Sequence, residues 1–207
     1  MIFGLNPIAR AAKAIFDSNE IITYGFLTDD QKQLGKEIDE VTVLGKMEDD
    51  GYLKFIGKKC EAFVALDENK VRKHVVKLLK EKRKVMPVNA VHAHAFIAES
   101  ASISHGNFVN MGVMIGHDAV IGNHCILHSG AIIEVDVELG DFVQVGTGSI
   151  LNAGVKVEEG AFIGSGALIV AGVTIGKNAR VGAGSVVIAD VESNQTVFGN
   201  PAQVVNQ

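Results

Sequence analysis

The chain has 207 residues, a formal net charge of −5, 47% hydrophobic and 21% charged residues, a globular composition with enough chain for one large or two small domains. No dense basic stripe points to nucleic acid, and no apolar run approaches the length of a membrane span. Nothing near Met1 reads as a signal peptide, since Pro7 and Arg10 follow closely, and the two distant cysteines, Cys60 and Cys125, lack metal-ligand spacing and fit a reduced, cytoplasmic setting.

Residues 1–84 alternate strand and helix signals. Met1–Gly4 reads as the stub of a strand. Pro7–Asp17 reads as a helix, with Asn6 as N-cap and Pro7 at the first helical position. Ile21–Leu27 and Val41–Leu44 are rich in strand formers, and Glu61–Leu66 alternates. Asn69–Lys82 carries helical spacing at Val71, Val75, Leu78 and Leu79. The basic run Lys77–Lys84 falls at the end of that helix, as a solvated face. The order implies a small, Rossmann-like parallel α/β domain over 1–84. Met86-Pro87 marks its junction with a second domain over 85–207.

From Val91 to Val187 an aliphatic residue recurs every six positions without a gap. A second series, four residues later in each unit, is small or β-branched except at Asn107. Glycine often follows the aliphatic residue, as at Gly116, Gly122, Gly140 and Gly164. A period of six fits neither an amphipathic helix nor a plain strand. It fits a coil with three short faces, the aliphatic side chain pointing to the axis and Gly, Asn or Asp at the turns. Eighteen residues close one coil, and coils stack at about 4.8 Å, each covering its neighbour. Cys125 occupies a small inward position and reads as core. Asp190–Asn194 reads as the loop that leaves the last coil, and Val197-Phe-Gly-Asn-Pro-Ala-Gln203 breaks the repeat.

This order of parts resembles the hexapeptide-repeat sugar acetyltransferases of the NeuD and PglD type, with Val197–Gln203 similar to their V-x-G-x-P-A closing motif. The likeness is strong over 91–203 and weak over 1–84. It implies a left-handed parallel β-helix, acetyl-CoA as co-substrate, no metal, and homotrimers that bind acetyl-CoA between neighbouring β-helices. The implied acceptor is a sugar or nucleotide sugar, foremost the amino group of a nucleotide-linked 4-amino-4,6-dideoxy sugar. The family's His-acid motif falls on Ile115-Gly-His-Asp-Ala-Val-Ile-Gly122. His117 is then the general base, a role suited to imidazole at neutral pH, with Asp118 orienting its ring. Val135, one coil further, matches the backbone N–H that faces the thioester oxygen, and Thr147 and Ser165 match positions beside the pantetheine arm.

Departures from the family stand out. Val135 replaces a frequent glycine, and Ile126 replaces a second histidine, with His128 two residues on. The glycine-rich turn is reduced to Gly4-Leu-Asn-Pro-Ile-Ala9, and an Asp-Asp pair becomes Thr28-Asp29. Asn6, Thr28 and Asp29 are the substrate-side candidates. His92, His94 and His105 read as solvated turns or subunit contacts, while His124 and His128 could line the groove. The alternatives are a sialic-acid-type O-acetyltransferase, or a non-catalytic or metal-dependent β-helix with three histidine ligands.

Overall fold

The computed structural model describes residues 1–205. The chain forms two compact units, Met1–Ala90 and Val91 onward.

The first unit is built on a five-stranded sheet in the order β3-β4-β2-β1-β5. These strands are β1 (Ile2–Phe3), β2 (Phe26–Leu27), β3 (Glu37–Ile38), β4 (Val41–Gly45) and β5 (Phe63–Val64). All pair in parallel except β3, which runs antiparallel to β4 at one edge. Ile2, Phe3, Phe26, Leu27, Phe63 and Val64 are all buried. Strands covered on both faces carry apolar pairs rather than alternation.

Helix α1 (Pro7–Ser18) starts where the sequence places it. Asn6 Oδ1 accepts from the Ala9 amide at 3.0 Å, and Pro7 occupies the first turn. Its buried face, Ile8, Ala9, Ala12, Ile15 and Phe16, reaches the sheet where Phe16 meets Phe63 edge to face at 5.7 Å. A short helix α2 (Asp50–Leu53) and the longer α3 (Asn69–Arg83) follow. The basic run ends α3 with Lys80, Lys82 and Arg83 in its last turn, where cations complement the helix dipole.

One expectation changes here. Of Ile21–Leu27 only Phe26–Leu27 is strand. The Ile21 amide is tied to Phe16 O at 2.8 Å and Glu20 has φ 60°, so the segment first turns out of α1 and leaves Ile22 92% exposed. β4 falls on the expected strand Val41–Leu44, while β3 and α2 lie outside the elements read from the sequence.

The second unit is the parallel β-helix expected from the hexapeptide period, a left-handed coil with three flat faces. The first face runs from Ala90–Val91 through Phe108–Val109, Ile126–Leu127, Gln144–Val145 and Phe162–Ile163 to Arg180–Val181. The second carries Phe96–Ile97, Met114–Ile115, Ile132–Ile133, Ile150–Leu151, Leu168–Ile169 and Val186–Val187. The third carries Ser102–Ile103, Val120–Ile121, Glu138–Leu139, Lys156–Val157 and Thr174–Ile175. Strands pair in parallel with the strand eighteen residues on, as Met114 with Ile132 and Ile126 with Gln144.

Both inward series form one continuous core. Asn107, the odd member, is buried because its Oδ1 accepts from the Cys125 amide at 2.6 Å. Cys125 is fully buried, as its small inward position requires.

The turns repeat as strictly as the core. A left-handed residue recurs every six positions, through Gly112, Asp118, His124, Gly130, Asp136, Phe142 and Gly148. The glycines after the aliphatic residue serve a different need. A Cβ on Gly164 would stand 2.5 Å from the Ala183 amide of the next coil, so these glycines let coils stack closely.

The last coil departs from the expected exit at Asp190–Asn194. Val191 is buried and bridges Ile175, and Val197 pairs with Val181. Both offsets are sixteen rather than eighteen, so the coil continues with two residues fewer. It closes with an antiparallel hairpin of Thr196–Gly199 and Ala202–Val204.

Candidate active site

His117 and Asp118 stand at the corner between the second and third faces, and both are exposed. The preceding core residue, Ile115, is fully buried, so the turn carries the imidazole outward. Within the chain its partner is Ser100, on the turn one coil earlier. His117 Nδ1 lies 3.2 Å from Ser100 Oγ. Asp118 has φ 58°, a backbone position that Asp and Asn tolerate better than most side chains. Asp118 thus sits where a turn residue is needed, and the Ser100 contact to the ring is one the sequence reading did not mark. An offset near eighteen from His117 was the signal that could have found it.

Val135 occupies the same corner one coil on, and the neighbouring Asp136 amide donates to His117 O at 3.1 Å. Among the described residues the Val135 amide donates to nothing. The same holds for the amides of Thr147 and Ser165. Thr147 and Ser165 stack on each other at the corner between the first and second faces, linked by Gly166 N to Thr147 O at 2.8 Å. The candidate residues of this unit thus form two columns, His117 with Val135 and Thr147 with Ser165, on adjacent edges of the prism.

His124 sits at the remaining corner. It is 3% exposed and stacks on Phe142, with ring centroids 4.9 Å apart. His128 is half-buried on the first face, 6.4 Å from the Phe108 ring. His94 and His92 are tied together by His94 N to His92 Nδ1 at 3.0 Å. Among the described residues no three His, Cys, Asp or Glu side chains gather as metal ligands.

The remaining candidates lie in the first unit, at the carboxyl ends of its parallel strands. The chain passes from β1 outward through β2 to β4, then returns to the other side of β1 at β5. A reversal of strand order of this kind is the usual ligand position in open α/β sheets. Asn6 follows β1, and its Nδ2 donates to Asp67 Oδ2 at 3.1 Å. Thr28 is buried and its Oγ accepts from Asp30 N at 3.3 Å. Asp29 Oδ1 accepts from Met47 N at 3.2 Å. All three shape the loops there, and Pro7 removes one amide from the helix start.

The chain is similar to a set of solved structures along its whole length. GDP-perosamine N-acetyltransferase from Caulobacter crescentus, with a histidine changed to alanine and in complex with CoA and GDP-perosamine, matches at 30% identity and TM-score 0.89. The match covers 100% of this chain and 96% of that one. This chain belongs to the NeuD/PglD-type sugar acetyltransferases.

WeeI from Acinetobacter baumannii matches this acetyltransferase at 25% identity and TM-score 0.86, over 99% of this chain and 98% of that one. The acetyltransferase domain of PglB from Neisseria gonorrhoeae, in complex with acetyl coenzyme A, shares the fold at TM-score 0.89 and 23% identity, over 99% and 97%. The bacterial transferase hexapeptide (six repeats) family matches residues 154–189. No curated protein matches at significant sequence similarity. The Caulobacter enzyme was also solved with a histidine changed to asparagine.

Proposed function

We propose that this acetyltransferase moves the acetyl group of acetyl-CoA to the amino group of a nucleotide-linked 4-amino-4,6-dideoxy sugar, with His117 as general base. The observation that carries the reading is the corner where an exposed imidazole, held at Nδ1, stands one coil from the unbonded Val135 amide. A relative alike over the whole chain was crystallised with CoA and GDP-perosamine.

In this reading His117 Nε2 takes a proton from the attacking amine. The new C–N bond forms at the thioester carbonyl, the C–S bond breaks, and the thiolate leaves with the proton that His117 held. The Val135 N–H faces the carbonyl oxygen as negative charge develops on it. Thr147 and Ser165 offer unbonded amides to the pantetheine arm. Asn6, Thr28 and Asp29 are the candidate contacts to the nucleotide, and Asp118 orients the imidazole.

The assembly that fits is a homotrimer, and the second face supports it. Its outward column reads Phe96, Met114, Ile132, Ile150, Leu168 and Val186, each paired to the next. The matching column of the third face is Ser102, Val120, Glu138, Lys156 and Thr174, with Lys156 bridged to Glu138 at 3.0 Å. An apolar face of that extent calls for a partner surface, and closed rotational symmetry among identical chains supplies it.

The test is thiol release from acetyl-CoA with GDP- and UDP-linked 4-amino sugars, and with sialic acid for comparison. Release with an amino sugar and none with sialic acid is the expected result. Release with sialic acid alone would move the acceptor from nitrogen to oxygen.

A further inference from the structure

At the corner that carries His117, the backbone repeats one hydrogen bond from coil to coil. The amide of each left-handed turn residue donates to a carbonyl of the coil before it. Asp136 bonds to His117 O at 3.1 Å, Gly154 to Val135 O at 2.9 Å and Gly172 to Ala153 O at 3.0 Å. Asp118 breaks the series. Its amide donates to Oγ of Ser100 at 3.0 Å, the same oxygen that lies 3.2 Å from Nδ1 of His117. Among the described residues of this corner, the turn with the imidazole is the one anchored on a side-chain hydroxyl.

We infer that Ser100 is a positioning residue that fixes the His117 ring in its Nδ1–H tautomer, leaving Nε2 bare for the acceptor's proton. A hydroxyl offers two lone pairs and one proton. One lone pair of Ser100 is taken by the Asp118 amide. Nδ1 can then donate to the second lone pair, or accept from the hydroxyl proton. When Nε2 gains a proton both ring nitrogens carry hydrogen, so Nδ1 must donate. The arrangement in which Nδ1 already donates passes through that step with no hydroxyl rotation and no change of partner. The hydroxyl is neutral, so it holds the ring without adding negative charge beside the imidazolium. Binding Asp118 N as well, it couples the ring's direction to the turn that bears it.

This rests on the reading of His117 as general base, so the test has one arm that needs no substrate. Nitrogen NMR of the His117 ring, in the full-length protein with the imidazole neutral, is expected to show Nδ1 protonated and Nε2 bare. In Ser100→Ala the ring should revert to the Nε2–H form that a free histidine side chain prefers. In the second arm, Ser100→Ala lowers kcat by roughly ten- to a hundredfold and leaves the KM for acetyl-CoA unchanged. Ser100→Thr, which keeps the hydroxyl, restores both tautomer and rate. A wild-type ring protonated on Nε2, or a tautomer indifferent to Ser100→Ala, overturns the inference even if that variant folds poorly, since the wild type alone decides the first point. An Nδ1–H ring in an enzyme that acetylates no amino sugar supports the Ser100 role and counts against the proposed acceptor instead.

Discussion

Phe142 lies over His124 with ring planes 34° apart, and both residues sit in left-handed turns, at φ 61° and 58°. Glycines hold the same place one coil before and one coil after, Gly106 and Gly160. Large side chains in that conformation cost about 1–2 kcal/mol each. The burial of both rings, at 3% and 9% exposure, offsets the cost. A Cβ on Gly106 would stand 2.2 Å from His124 Nδ1, so the stack ends on a glycine. Phe142→Ala is expected to lower stability by about 3–5 kcal/mol, since it loses the ring and keeps the strained turn. Phe142→Gly should cost roughly 1 kcal/mol less, because glycine adopts the turn freely. Urea unfolding of the two variants decides it, and an alanine variant more stable than the glycine one would show that the turn carries no strain.

His117→Ala should fold as the wild type does and lose about a hundredfold or more in kcat. The side chain is exposed, and its contact is with another surface residue, Ser100. Circular dichroism reports the fold, and thiol release the rate. Turnover within threefold of wild type would remove the imidazole from the mechanism.

The Val135 amide predicts a contrast between two substitutions. Val135→Ala keeps the N–H and should stay within about threefold of the wild-type kcat. Val135→Pro deletes the N–H without breaking a bond inside the chain, and kcat should fall about 10²–10³-fold, as loss of one oxyanion donor does. A melting curve close to wild type keeps the comparison fair. Equal rates in the two variants would place the thioester oxygen elsewhere.

Cys60 yields a prediction about reactivity. Burial pushes its thiol above the usual range, with the Met1 amine pulling the other way and Glu61 adding to the rise. A raised thiol pKa leaves less thiolate at neutral pH. Iodoacetamide should therefore label Cys60 slowly at pH 7, and faster as the pH climbs through the raised value. Cys125, fully buried, should react only on unfolding. Rapid labelling of Cys60 at pH 7 would contradict that burial.

The β-helix was legible because its rule is positional. The aliphatic residues from Val109 to Val187 all fall inward, and a fixed offset of eighteen tells which turns stack. The same rule breaks at Val187, where two residues drop out of the coil, and nothing in the composition of Ala189–Asn194 announces that. The first unit was harder to read because β1, β2 and β5 are two residues long and buried on both sides, so no alternation marks them. Ile21 and Ile22 have strand-forming side chains but are used in the exit from α1. At the site, the His117-Asp118 pair is adjacent in sequence and so legible there. The ring's partner within the chain, Ser100, becomes visible only when turns are compared coil by coil.

The outward column of the second face supports a final prediction, about assembly. Phe96 and Met114 are 59% and 48% exposed in the single chain, and the aliphatics Ile132, Ile150, Leu168 and Val186 continue the ridge. If three copies close around this face, a charge at its centre must be buried without a partner, which costs several kcal/mol. Ile150→Asp is therefore expected to convert a particle of three 21.9 kDa chains into monomers, read by light scattering. Each β-helix should keep its fold, because Ile150 points away from the axis while Leu151 fills the core. If acetyl-CoA binds between chains, the monomer should also lose acetyl-CoA affinity by tenfold or more. Lys156→Asp on the third face, beside Glu138, is the control and should leave the mass unchanged. A trimer that survives Ile150→Asp and dissociates with Lys156→Asp would mean that the chains meet on the polar face.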